Sequence, residues 1–208
     1  MKHVDDVEEG RKGQWMQTSL GGRFYPLDPR LDEIFIPDIA NGCALDCRYG
    51  GQGNVDRFYS VAEHCWLLSS YALQTTGDVY LAMALLLHDG AEAYVNDLPR
   101  AVKNAVGQGY KDVENNIQDL IFKKFGVGSS VKQHAVVMKD LDRRIVPLEK
   151  EFIFGNKAGA WAYDQFKPLE GVRILGLQPR IAKFFFIEQF AKLDAEMRIA
   201  GKKGIIIP

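Results

Sequence analysis

The chain has four histidines, and two of them stand where an imidazole could do chemistry. His3 falls in a polar N-terminal stretch, and His134, flanked by Lys132, Gln133 and Lys139, reads as a surface residue of a helix. His64 and His88 each belong to an apolar helical pattern. His88 closes the run LAMALLL and is followed at once by Asp89. An aspartate that ends a wholly apolar run is expensive to bury unless a cation or a hydrogen-bond network neutralises it. Glu92, four residues after His88, shares a helical face with it, and Asp97 follows just past the expected helix end. An imidazole and several carboxylates beside the most hydrophobic segment point to a metal or acid–base site, with a satisfied structural network as the competing reading. Cys43 and Cys47 would also share a helical face and could ligate a metal. No fourth sulfur ligand stands near them, so small half-buried thiols are the plainer reading.

The elements that must position these groups are helices. Pro37 suits a first helical turn, with Ile39, Ala40, Cys43 and the stretch 45–47 forming an apolar face. Residues 48–59 (RYGGQGNVDRFY) are a loop by composition, and GGQGN lacks the Lys-Ser/Thr of a phosphate-binding P-loop. Ser60-Val-Ala-Glu63 is a capping box, its hydroxyl and carboxylate both satisfying first-turn amides. The helix it opens carries Val61, His64, Cys65, Leu68 and Ala72. A second helix over 79–93 is apolar almost all round and should form the central core element. A third spans about 110–125. A fourth spans about 131–154, where Pro147 must end or kink it. After a polar, aromatic-studded stretch at 155–176, Pro179 opens a last helix whose stripe of Ala182, Phe185, Phe186, Phe190 and Leu193 reads as core packing. Alternating strand character is confined to Ile205–Ile207. The class is all-α, with residues 1–19 as a mobile leader, 20–200 as the folded domain and 201–208 as a tail.

Composition fits a single domain. The 208 residues are 47% hydrophobic and 25% charged, usual values for a globular chain. Lys and Arg total 26 against 27 Asp and Glu, a balance that excludes the uniformly basic surface of a nucleic-acid coat. No apolar run approaches the ~18 residues of a membrane span. The charged N-terminus has no signal-peptide character, and three cysteines fit a reduced compartment, so a cytoplasmic location is expected.

The ordered set His64, His88-Asp89 and Asp142 resembles the H…HD…D signature of the HD-domain metal-dependent phosphohydrolases. The segments FYSVAEH (58–64), LLHDGAEAYVNDLPRAVK (86–103) and KDLDRRIVPLE (139–149) are similar to the branch of bacterial 5'-deoxynucleotidases and phage dATP triphosphohydrolases. Ile174, Pro179, Ala182, Phe186 and Phe190 resemble that branch's last helix, and the similarity covers about residues 20–193. The resemblance implies an HD-domain helical bundle in which His64, His88, Asp89 and Asp142 ligate one divalent ion: Co, Mn, Zn, Fe or Mg. It makes Glu92 and Asp97 the catalytic carboxylates and Lys103 a phosphate contact, although a lone lysine at 103 reads as a solvated side chain. Arg48 and Tyr49 match an Arg–aromatic pair suited to phosphate and base, or else are a helix-ending arginine and a core tyrosine. Asp140 competes with Asp142 and is read as a solvated charge. Lys139, three residues before Asp142, lies on its helical face and could reach a phosphate.

The implied activity is hydrolysis at the 5' α-phosphate of a deoxynucleotide, most simply a triphosphate with dATP favoured, giving deoxynucleoside and triphosphate. The alternatives are a deoxynucleoside monophosphatase, a phosphodiester or guanosine-polyphosphate hydrolase, and a non-catalytic helical assembly module. The expected partners are a small deoxynucleotide and further copies of the chain in a homo-oligomer, with neither nucleic acid nor membrane.

Overall fold

The computed structural model describes residues 9–202. Among them the chain is all-α: eight α-helices and one antiparallel pair of two-residue strands, β1 (Met16–Gln17) and β2 (Arg23–Phe24). The helices are α1 (Ile36–Leu45), α2 (Val61–Thr76), α3 (Val79–Leu87), α4 (Glu92–Val95), α5 (Arg100–Val106), α6 (Gln108–Lys124), α7 (Gly128–Phe154) and α8 (Pro179–Lys202). No helix among the described residues is long and apolar enough to cross a membrane.

Local signals explain where α2 and α3 begin and end. Ser60 Oγ accepts the Glu63 N–H at 3.2 Å, and Gly77, in the left-handed conformation, returns its N–H to Leu73. Asp78 then caps α3 by accepting the Leu81 N–H at 2.9 Å. Every residue from Leu81 to Leu87 is buried, and α3 packs against α2, α7 and α8, which makes it the central element the sequence called for.

The expected helix over 79–93 is two helices. The Gly90 N–H bonds the Leu87 carbonyl, the chain turns, and α4 begins at Glu92. His88 and Glu92 are therefore presented by a turn and a new helix, not by one continuous face. Close packing holds α4 in place: a Cβ on Gly42 of α1 would lie 2.5 Å from the Ala93 carbonyl oxygen, so only glycine fits there.

Pro147 does not end α7, which runs unbroken to Phe154. Its buried side, including Leu141, Ile145, Glu149 and Ile153, keeps the helix docked through the proline. The capping box is half of what was expected, because the Glu63 carboxylate turns away from its own helix to the 175–177 segment. Cys47 lies beyond α1, bridged to Ser60, so it shares no helical face with Cys43.

Residues 9–19 are not a free leader. Arg11 pairs with Asp28 and Glu33 and lies over the Tyr25 ring, Trp15 is buried, and Ser19 donates to Asp38 at 2.6 Å. His3, the isoleucines at 205–207 and the rest of the proposed tail from 203 onward lie outside the described residues.

Candidate metal centre and adjoining cavity

His64 on α2, His88 capping the end of α3 and the adjacent Asp89 converge into a group able to hold a metal ion. His64 Nε2 lies 3.3 Å from His88 Nε2 and 3.6 Å from Asp89 Oδ2, and His88 Nε2 lies 3.4 Å from the same oxygen. A point roughly 2.0 Å from all three atoms exists inside that triangle, the bond length of a zinc-class ion to nitrogen and oxygen ligands. Asp142 Oδ1 on α7 stands 3.4 Å from His64 Nε2 and 4.0 Å from His88 Nε2.

Hydrogen bonds behind the rings fix their tautomers. His88 Nδ1–H donates to the Leu85 carbonyl at 2.8 Å, and His64 Nδ1–H donates to Glu149 Oε1 at 2.7 Å. Both Nε2 lone pairs then face one point, where they repel unless a cation or a proton lies between them. Burial and Arg48 disfavour a charged His64, but Glu149 and Asp142 outweigh them and hold its pKa up at about 9 when no ion is bound. Burial also opposes ionisation of Asp142, yet the hydrogen bond from His64 keeps its carboxyl well below the usual range.

Glu149 is a site residue that residue-by-residue reading missed. It is wholly buried, seven residues along α7 from Asp142, and takes Tyr49 Oη–H on one oxygen and Tyr59 Oη–H at 2.9 Å and His64 on the other. Arg48 Nε lies 3.5 Å from it, while Arg48 Nη1 reaches Asp89 at 3.2 Å. Arg48 is thus first the counter-charge of two carboxylates. The available signal was a glutamate at the helical spacing of Leu141 and Ile145 on the inward side of α7. The cysteines are bystanders: Cys65 Sγ lies 3.8 Å from His88 Nδ1 and Cys43 Sγ 3.8 Å from the Asp89 carbonyl, and burial raises both thiols.

A cavity of about 370 Å³ opens beside this centre. Asp89, Glu92, Asp97 and Asp142 line it together with Arg48, Arg100 and Lys103. Glu92 is buried, its Oε2 has no hydrogen-bond partner, and its Oε1 is 3.9 Å from Lys103 Nζ, which also binds Glu114 at 2.7 Å. Burial, then Asp89 and Asp97, raise the Glu92 pKa well above the ordinary carboxylate value. Asp97 is presented by a strained neighbour: Asn96 has φ 66° and ψ 155°, a conformation that belongs to glycine, and the Asp97 N–H is tied to Asp46 Oδ2 at 2.6 Å. Tyr49, at φ 60°, is the other non-glycine residue with positive φ among the described residues, and it lines the same cavity.

Lys139 is exposed and does not line the cavity, so the structure does not bring it to the site. Asp140 is exposed and pairs with Arg144, as a solvated charge would, and His134 faces Asp78 at 3.4 Å. Trp161 and Tyr163, from the connection between α7 and α8, complete the cavity wall and carried no sequence signal beyond their aromatic character. A larger cavity of about 620 Å³, between residues such as Arg57, Phe152 and Arg173, contains none of these groups.

Fold and site together define an all-α protein with a two-histidine, one-aspartate group suited to a metal. No family model matches the chain. It is 30% identical over 184 residues to the uncharacterized protein YfdR of Escherichia coli K12, a match spanning 86% of this chain and 96% of YfdR. The chain belongs to the same family as YfdR. It is also 34% identical over 118 residues to the uncharacterized protein RCAP_rcc00048 of Rhodobacter capsulatus, covering 56% of this chain but only 60% of that protein.

Proposed function

We propose that this protein is a metal-dependent phosphohydrolase of the HD-domain type that cleaves the bond between the α-phosphorus and the 5' oxygen of a deoxynucleotide. The observation that carries the reading is the pair of Nε2 atoms 3.3 Å apart, each with its other ring nitrogen already donating, beside Asp89 and Asp142. Two nitrogens and two carboxylate oxygens suit a divalent ion (Co, Mn, Zn, Fe or Mg), held by His64, His88, Asp89 and Asp142. Such an ion would supply Lewis-acid polarisation of the phosphate and a more acidic water.

The protein's own groups do the rest. Glu149 keeps His64 in the ligating tautomer. The free Oε2 of Glu92 orients the attacking water and takes its proton. Arg48 and Lys103 face the phosphate oxygens, and Asp97, which lines the same cavity, positions the ester or relays to the leaving 5' oxygen the proton that Glu92 has taken.

A triphosphate was the first expectation, and part of its support was Lys139. That lysine points to solvent, and the cavity offers three cations against four carboxylates, which favours a substrate with one phosphate. The monophosphate is therefore the second reading. The deciding experiment is a panel of deoxynucleoside mono- and triphosphates with each metal, with products identified, run beside His88→Ala. Release of orthophosphate or of triphosphate separates the two readings, and loss of that activity in His88→Ala supports the metal-dependent chemistry they share. Turnover confined to cyclic dinucleotides or polyphosphorylated guanosine replaces them with another hydrolase. Absence of both metal and activity leaves a helical assembly module. The proposed setting is the cytoplasm and the proposed state a homo-oligomer, which light scattering at the 23.4 kDa monomer mass would refute.

A further inference from the structure

We infer that Trp161 and Tyr163 form a base-binding wall, so that the substrate is read by a planar heteroaromatic ring as well as by its phosphate. The phosphate half of this inference rests on the function proposed above. Both side chains are half-exposed and line the cavity that also holds Glu92, Asp97 and Lys103. Large rings left partly open beside a charged cavity offer π-faces that a flat ligand can cover.

The wall is built to stay in place. Lys150 on α7 grips Asp164 at 2.6 and 2.7 Å, and Asp164 in turn accepts the backbone N–H of Trp161 at 2.8 Å. Phe154 and Tyr49 pack against the indole, with ring centroids 5.4 and 5.6 Å away, and the Lys150 ammonium lies 5.6 Å from its centroid. Tyr163 meets the guanidinium of Arg100 at 5.2 Å, which joins the wall to α5. Arg100 is exposed and lines the same cavity, so its charge can reach a ligand that lies against this wall.

The test compares 2'-deoxyadenosine 5'-monophosphate with 2-deoxyribose 5-phosphate, the same ester without a base. In Trp161→Ala the ratio of kcat/KM for the nucleotide to that for the sugar phosphate falls roughly tenfold or more, the scale of one lost base–aromatic stack, and the change lies in KM. Trp161→Phe restores most of the ratio. An equal fall on both substrates means that Trp161 only supports the fold and overturns the inference. Binding is read separately from turnover by tryptophan fluorescence, since the other two tryptophans, Trp15 and Trp66, do not line the cavity. The nucleotide quenches wild-type emission, the sugar phosphate does not, and the quench disappears in Trp161→Phe. Quenching without hydrolysis refutes the proposed reaction and leaves the wall standing. No quenching at millimolar nucleotide, or equal quenching by both ligands, refutes the wall.

Discussion

Glu63 and Glu149 are both wholly buried carboxylates on long helices, and they flank the same imidazole, one in sequence and one in space. Their surroundings differ in kind. Glu63 accepts the backbone N–H groups of Leu175, Gly176 and Leu177 at 2.7, 3.1 and 2.7 Å and ties the segment before α8 to α2. Glu149 accepts side chains alone: two tyrosine hydroxyls and His64, with Arg48 alongside. Burial raises the Glu63 pKa in spite of its three amides. Burial acts on Glu149 in the same direction, but the charges of Arg48 and His64 and the donated hydrogen bonds bring it down to about 2. Dipoles of the backbone suffice for a structural tie, whereas a carboxylate that must stay ionised behind a ligating histidine needs full charges.

That contrast yields measurements of decreasing size. Glu149→Ala leaves Arg48 and His64 buried without their partner and should cost about 3–5 kcal/mol of stability by urea denaturation, the range for one member of a buried pair. A result below that of Glu63→Gln would break the comparison. Next, a divalent ion at a hundredfold excess over its Kd should stabilise the wild type by about 2.7 kcal/mol, an effect absent in His88→Ala and visible as a rise in Tm. The isosteric Glu149→Gln should keep the fold while metal affinity, read by competition with a chelating dye, drops about 10–100-fold. Glu63→Gln should cost about 1–2 kcal/mol, because one amide N–H then faces another, and should leave metal affinity within about twofold.

The pH dependence of stability sharpens the distinction further, measured with chelator present. A carboxylate whose pKa is depressed on folding stabilises the protein above its ordinary value of 4.5 and loses that contribution as pH falls toward about 2. Glu149→Gln should therefore flatten the acid limb between those values. Glu63, whose pKa is raised, has the opposite sign: its contribution is complete below 4.5 and declines as pH rises through the folded value. Glu63→Gln should thus make the acid limb no flatter, and a flattening would show that the two carboxylates act alike.

Much of the frame was legible because it is local. The Ser60 cap, the apolar run ending at His88 and the first-turn prolines of α1 and α8 each express a preference of a few neighbouring residues, and each survives folding. Errors arose where neighbours were outweighed. Helical spacing joined 79–93 into one element, but the turn at Gly90 and the seating of α4 against Gly42 are decided by contacts outside that segment. Pro147 signalled an end or a kink, and α7, docked by its buried side, does not end there. Lys139 and Asp142 are three residues apart, a spacing that put both at the site; Asp142 sits beside the two imidazoles while Lys139 points to solvent.

By itself, then, the sequence determined the helical class, the covalent pairing of His88 with Asp89 and the expense of ending an apolar helix on a carboxylate, since all of these depend on residues within a few turns of one another. Only the tertiary structure decided that His64 meets His88 nitrogen to nitrogen, that Glu149 reaches the imidazole it orients from 85 positions away, and that an indole at 161 packs near Tyr49. Those pairings are made through space, the first two by packing α2, α3 and α7 against each other and the third by the segments before α2 and after α7, and no local spacing encodes them.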